Sequence, residues 1–176
     1  MNGKKYDNSS HEEIIVSRLN PESYNDFKTL RLESLRVDSQ AFGSSYEEEI
    51  NFAEEIWKSR IVNMLFAIYK NKLAGMIGFL PRTRIKTGHV ADIFSFYVCK
   101  EYRGLGIGWK LLNEALLEIR NNQKIIKISL SVNSEMEAAI HLYKKCGFNI
   151  SGRLERELKL NGNFYDEFTM EKLIQS

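Results

Sequence analysis

Three glycines alternate in Tyr102-Arg103-Gly104-Leu105-Gly106-Ile107-Gly108-Trp109-Lys110, and the apolar pattern changes period across them. Upstream, His89 to Val98 reads as an extended strand. Downstream, Leu111, Leu112, Ala115, Leu116 and Ile119 recur with helical spacing. A strand must therefore end here and a helix begin. The next apolar run, Ile125 to Val132, is a strand again, so this strand–helix–strand unit needs a parallel crossover.

The rest of the chain reads as antiparallel structure and helices. Ile14-Ile15-Val16 opens a short strand. Asn20 caps a helix with Pro21 at its first position, running to about Val37 through Phe27, Leu30, Ser34 and Leu35. Residues 38–45 form a loop. Glu47, Glu48 and Glu49 occupy the first turn of the next helix, whose apolar stripe is Ile50, Ala53, Trp57 and Ile61. Strands follow over Met64–Tyr69, Leu73 to about Ile85, and His89–Val98. After the crossover, Glu135–Cys146 is a helix with Gly147 past its end. Phe148–Glu157 and Asn163–Ile174 close the chain as strands around Asn161-Gly162. The order is β-α-α-β-β-β-α-β-α-β-β. The expected fold is α/β (α+β), with a single mixed, mainly antiparallel central sheet flanked by helices.

Composition narrows the function. The 176 residues suit one domain, read as 13–176 behind a flexible leader at 1–12. With 25 Lys plus Arg against 23 Asp plus Glu, the near-balance supports neither a nucleic-acid nor a membrane-coating role. The two cysteines, Cys99 and Cys146, form no CxxC, which argues against a disulfide scaffold or a zinc module. They suit a reduced, cytoplasmic compartment. His11, His89 and His141 are scattered, and no metal site is expected.

The glycine run is an anion cradle in physical terms. Glycines let a backbone approach its ligand, and the first amides of a helix have no helical partner. The helix dipole adds to their preference for phosphate. Arg103 adds a cationic fork. A dinucleotide fingerprint fails, because its last glycine would fall on Trp109 or Leu111. A P-loop fails because Trp109, not lysine, follows Gly108. The same residues also read as a tight strand-to-helix turn.

These motifs resemble the GNAT superfamily of N-acetyltransferases. Arg103, Gly106 and Gly108 match its [RQ]-x-x-G-x-[GA], and Val98 sits where its fourth strand ends. Leu142-Tyr143-Lys144-Lys145-Cys146-Gly147-Phe148 matches its later L-Y-x-x-x-G-F. The resemblance implies acetyl-coenzyme A as donor, with the amides of Arg103, Gly104, Leu105, Gly106, Ile107 and Gly108 holding the pyrophosphate. It implies that the backbone at Tyr97 and Val98 pairs with the pantetheine arm like an added strand, beside a bulge that splays the fourth strand from the fifth. An amide near Val98 would face the thioester oxygen. The family's pantetheine-contacting asparagine falls here on Met136. Asn133 lies one turn earlier and is the candidate substitute; its other reading is a helix N-cap. Tyr143 is the candidate general acid for the departing thiolate. Its other reading is a core tyrosine.

Asp92 is the candidate base. It lies an even number of residues from Val98, on the same face of a regular strand, and falls where histone-type members keep a catalytic glutamate. A bulge would break that parity, and the alternative is a salt-bridged aspartate. Lys124, Lys127, Lys144 and Lys145 read as a solvated face or as contacts to the 3′-phosphate. Ala41–Glu49 and Asn161–Glu167 would wall the acceptor side. There Phe42, Tyr46 and Tyr165 would stand beside Glu47, Glu48, Asp166 and Glu167. Such a mouth suits a cationic amine, a polyamine or a peptide N-terminus; the same charges also read as caps and hairpin ends.

The resulting expectation is direct acetyl transfer from acetyl-coenzyme A to a small-molecule or peptide primary amine in a ternary complex, with monomer or homodimer open. A non-catalytic acyl-coenzyme A sensor of the same fold is the alternative. A phosphate-binding regulatory domain is a second.

Overall fold

The computed structural model describes residues 13–174, so the leader read at 1–12 lies outside the described residues, as does His11. The strands are β1 (Ile15–Ser17), β2 (Met64–Tyr69), β3 (Lys72–Pro81), β4 (Val90–Val98), β5 (Lys127–Asn133), β6 (Asn149–Leu160) and β7 (Asn163–Leu173). The helices are α1 (Tyr24–Val37), α2 (Tyr46–Glu49), α3 (Glu54–Ile61), α4 (Ile107–Asn121) and α5 (Glu137–Lys145). The strands form one seven-stranded sheet in the order β1-β2-β3-β4-β5-β7-β6. Every neighbouring pair is antiparallel except β4–β5, which is parallel as the crossover requires.

Each face of the sheet buries its own core. On one face Leu111, Leu112, Ala115, Leu116 and Ile119 of α4 pack with Ile140 and Tyr143 of α5 over Ile93, Ile128, Leu130 and Met170. On the other, Phe27, Leu30 and Leu35 of α1 pack with Trp57 and Ile61 of α3 over Phe66, Met76 and Tyr97. Phe27 meets both Trp57 and Phe66 edge to face, at 5.5 and 5.7 Å between centroids. No helix among the described residues is long and apolar enough to cross a membrane.

Three expectations need correction. The helix expected to begin at Glu47 is two, α2 and α3, separated at Ile50–Ala53. Glu48 closes a capping box with Ser45, while Glu49 turns inward, 1% exposed, to meet Arg31 and Arg60. The Trp57 indole then takes the Phe52 carbonyl, at 3.2 Å, which a continuous helix would have used. The strand expected to reach Ile85 stops at Pro81, and Ile85–Thr87 is a 3₁₀ turn. The helix expected from Glu135 starts at Glu137, because Asn133 draws residues 133–136 into a turn of their own.

Other local readings hold. Asn20 accepts from the Glu22 N–H at 2.9 Å, with Pro21 opening a 3₁₀ turn ahead of α1. Gly147 ends α5 in the left-handed region, φ +88°, and the Phe148 N–H closes back onto the Tyr143 carbonyl at 3.0 Å. Asn161 and Gly162, both at positive φ, make the tight β6–β7 turn.

Candidate active site

The site begins with a defect in the sheet. Tyr97 opposes Met76 and Phe94 opposes Gly78, so two residues of β4, Ser95 and Phe96, face one of β3. That is a β-bulge, and Ser95 carries it at φ +50°. It coincides with a second irregularity. β4 pairs with β5 only over Val90–Asp92, opposite Lys127–Ser129. Beyond Asp92 the two parallel strands part, and β5 stays in register with β7 as far as Asn133. The open flank of β4 therefore faces a wedge-shaped gap.

Strand alternation decides which groups face that gap. The Cys99 N–H bonds the Ala74 carbonyl at 2.9 Å, so Cys99 and Tyr97 point their polar groups at β3 and Val98 points away. The Val98 carbonyl is taken by Arg103 Nε at 3.0 Å, which leaves its N–H as the donor on the gap side. Tyr97 is engaged on the β3 side. Its backbone belongs to the β3 ladder, and its hydroxyl donates to Glu33 at 2.9 Å.

At the end of β4 the chain turns through Lys100–Tyr102 and enters α4. Gly104 and Gly106 adopt φ +80° and +84°, and an added Cβ at either would meet nothing within 4 Å. They are there for backbone conformation, and they leave the space above the turn open. Among the described residues, no N–H from Gly104 to Trp109 donates to another backbone carbonyl. Ile107, 1% exposed, pins the helix start into the core. Gly108 serves a different purpose: a Cβ there would press Leu142 at 3.3 Å. The turn thus offers consecutive free amides on the positive end of a 15-residue helix.

Arg103, at the start of the turn, has partners within the protein. Its guanidinium pairs with Asp38 past the end of α1 and its N–H leans on the Lys100 carbonyl. The arginine ties the end of α1 to the end of β4. Asn133 also has partners within the protein. Fully buried, it accepts from the Glu135 N–H at 2.9 Å and donates to the Gln40 carbonyl at 3.0 Å. Each polar end thus has one partner within the protein, and the turn it closes lies ahead of α5, whose own N-cap is Met136 with no side-chain cap bond. Lys127 pairs with Glu171 at 2.5 Å, while Lys124, Lys144 and Lys145 are exposed.

Tyr143 packs on the α4–α5 face of the sheet, against the bulge of β4. Its ring lies 5.9 Å from Phe96, in the bulge, and 5.8 Å from Phe148. Burial holds its phenol well above the ordinary tyrosine range. The thiols are raised as well: burial first, then the Glu33 charge, push Cys99 up to about 12, and burial raises Cys146. Neither is a ready nucleophile.

The opposite face of the sheet carries two cavities. A cavity of about 550 Å³ touches both lips of the gap, at Ser95 and Ser131, and runs under Phe42 and Ser44. A second, of about 740 Å³, continues outward between Tyr46, Glu47 and the Glu157–Tyr165 hairpin. Parts of both segments, Ala41–Glu49 and Asn161–Glu167, lie on these walls. The bulge, however, reverses the parity of β4: Ile93 and Phe96 share the α4–α5 core, whereas Asp92 and Tyr97 face the other way. Asp92 therefore does not share a face with Val98. It lies in a two-pronged pair with Arg82, at 2.7 and 2.8 Å. Asp166 is also engaged, with Arg153 and with the Arg156 N–H at 2.7 Å, where β6 has its own bulge. Glu167 is different. It is half-buried in the inner cavity wall and has no cationic partner among the described residues. Burial, then the nearby Glu157, raises its carboxyl above the usual range.

Two residues of this cavity, Arg31 and Ser95, are not among those expected from the sequence, and only the first has a signal there. Arg31 sits four residues after Phe27 and three before Ser34, on the stripe that α1 buries. A cation on an apolar face was the available signal. Ser95 had no such signal, because a positive φ at serine is imposed by the sheet.

A bulged strand splayed from its parallel neighbour, with an amide cradle where the next helix starts, defines the acyl-coenzyme A N-acyltransferase fold. Residues 25–148 match the acetyltransferase (GNAT) family, and the chain belongs to it. It is 33% identical to spermidine N(1)-acetyltransferase of Vibrio cholerae over 91 residues, 52% of this chain and 53% of that one, so the match spans about half of either protein. It is 25% identical to an L-amino acid N-acetyltransferase of Escherichia coli over 126 residues, 69% of this chain and 77% of that one. An acetyltransferase of the GNAT family from Streptococcus pneumoniae superposes with a TM-score of 0.82 at 27% identity, covering 92% of this chain and all of the other.

Proposed function

We propose that the protein transfers an acetyl group from acetyl-coenzyme A directly to a primary amine in a ternary complex. The observation that carries this reading is the coincidence of the β4 bulge, the β4–β5 gap and the unpartnered amides of Gly104–Trp109 along one line. The cradle suits a pyrophosphate, and the gap suits an extended arm that adds to the sheet edge.

In the reaction the amine nitrogen forms a bond to the thioester carbon and the C–S bond breaks. The Val98 N–H stands where it can stabilise the developing oxyanion. The thiolate takes a proton from Tyr143. Burial weakens the phenol as an acid, but the same desolvation makes the thiolate a stronger base, so donor and acceptor rise together. The amine's proton leaves through the inner cavity, where Glu167 is the carboxylate without a cation. Asp92 would first have to give up a bond from Arg82. The curated relatives act on different amines, spermidine in one case and L-amino acids in the other, so their names do not choose the acceptor.

The test is a titration with coenzyme A and, separately, ATP, followed by thiol release from acetyl-coenzyme A with an amine panel. Binding of coenzyme A and not ATP, with amine-dependent thiol release, is expected. Coenzyme A binding without release for any amine would favour the sensing module, and no coenzyme A binding would overturn both.

A further inference from the structure

We infer that the acceptor carries a carboxylate as well as its amine, and that Arg31 holds that carboxylate at the helical wall of the inner cavity. This rests on the acetyl-transfer reading and specifies its acceptor.

The observation is an unmatched charge. Arg31 is 2% exposed, stacks on Phe42 and lines the inner cavity. Its Nε and Nη2 fork onto Glu49 at 3.0 and 2.8 Å. Nη1 has no partner, and it is the one buried side-chain nitrogen or oxygen among the described residues left so. Arg60, also on the cavity wall, leans on the same carboxylate at 3.0 Å. Two guanidiniums thus share one anion, leaving an excess positive charge in a place where charge is costly. A buried donor of this kind is satisfied by an anionic acceptor, and a carboxylate matches the planar guanidinium best.

The rest of the cavity has the complementary polarity. The sheet lays Ser129, Ser131 and Thr169 along its floor, where a covered sheet face is ordinarily apolar. Glu167 stands among them uncompensated, whereas Arg82 and Asp92 cancel each other. The cavity is therefore cationic at the helices and anionic at the sheet. A small zwitterion, an amino acid or a short peptide, fits both ends with its amine toward the gap. A polyamine would set a second ammonium against Arg31 and Arg60. The volume of about 550 Å³ suits a small molecule.

The experiment uses the full chain and chemically matched acceptors: several L-amino acids, the carboxamide of each, the decarboxylated amine of each, and spermidine. Acetylation is followed by thiol release, and binding by calorimetry with coenzyme A present. The acids are expected to exceed their carboxamides in kcat/KM by about ten- to a hundredfold, the scale of a lost hydrogen bond to a charged group. Arg31→Lys keeps the charge beside Glu49 but removes the fork, and should bring that ratio close to one. Carboxamides or spermidine used as well as the acids by the parent protein would overturn the inference and leave acetyl transfer standing. Absence of coenzyme A binding would instead defeat the acetyl-transfer reading, and the acid–amide comparison by calorimetry would still decide the role of Arg31: equal binding overturns it. Should Arg31→Lys fail to fold, the parent's acid–amide ratio decides alone.

Discussion

In the proposed reaction Tyr143 and Glu167 take opposite proton duties, and burial raises the pKa of each. The phenol is dry and stays protonated across any ordinary assay, so Tyr143 should produce no alkaline limb in kcat below about pH 10. Tyr143→Phe should retain coenzyme A binding and lose about 10²- to 10⁴-fold in kcat. A parent-like rate would reduce Tyr143 to packing between Phe96 and Phe148. The carboxyl of Glu167 is raised, so it becomes a base only as pH climbs past the ordinary carboxylate range. Glu167→Gln should depress kcat/KM at neutral pH and recover in part at high pH, where free amine is abundant. Asp92→Asn should leave the shape of that profile unchanged. If the Asp92 variant alone reshapes the profile, the two assignments exchange.

At the level of elements, the site is a junction where regular structure is interrupted on purpose. The bulge bends β4 away from β5, and the two glycines of the turn deliver α4 with its first amides free. Gly106→Asp adds a carboxylate above the cradle and an L side chain at φ +84°, which costs about 1–2 kcal/mol in conformation. The space is open, so the fold should survive while coenzyme A affinity collapses. A folded variant with parent affinity, measured by calorimetry, would remove the cradle from the binding site. Arg103 belongs to this scale too, since it clamps the α1 end to the β4 end through Asp38.

For the whole molecule, the ion cluster of Arg31, Glu49 and Arg60 joins α1, α2 and α3 above the sheet. Burial pushes the Glu49 carboxyl up, yet the hydrogen bonds from Arg31 and Arg60 together outweigh it and hold the group below its ordinary value. A depressed carboxyl stabilises the fold fully above the unfolded-state value and ceases to as pH falls through the lowered one. Glu49→Gln leaves two arginines without their anion and should cost about 3–5 kcal/mol in urea unfolding at pH 7. The gap between parent and variant should then narrow as pH falls below about 4. A gap independent of pH would mean that packing, not charge, makes Glu49 necessary.

Legibility followed the range of the interactions. Local periodicity and turn chemistry set out the elements: the stripe of α4, the Asn20 cap, the Gly147 stop and the Asn161-Gly162 turn all depend on neighbours within a few residues, which a sequence displays directly. The glycine cradle was legible for the same reason. What the linear text does not display is the partner brought from far along the chain. Arg103 reads as a cationic fork in the sequence, which does not show that Asp38, 65 residues away, pairs with it. Asn133 read as a ligand contact until the Gln40 carbonyl, 93 residues away, took its amide. Asp92 changed face because a bulge at Ser95 reversed the parity of its strand, and that bulge arises from pairing with β3. From the sequence alone came the family motifs, the cradle and the order of elements apart from the break between α2 and α3. Three-dimensional neighbours settle which charges pair with one another and which groups, the Glu167 carboxylate and Nη1 of Arg31, are left without a partner among the described residues, because satisfaction of a buried charge depends on groups far apart in the chain.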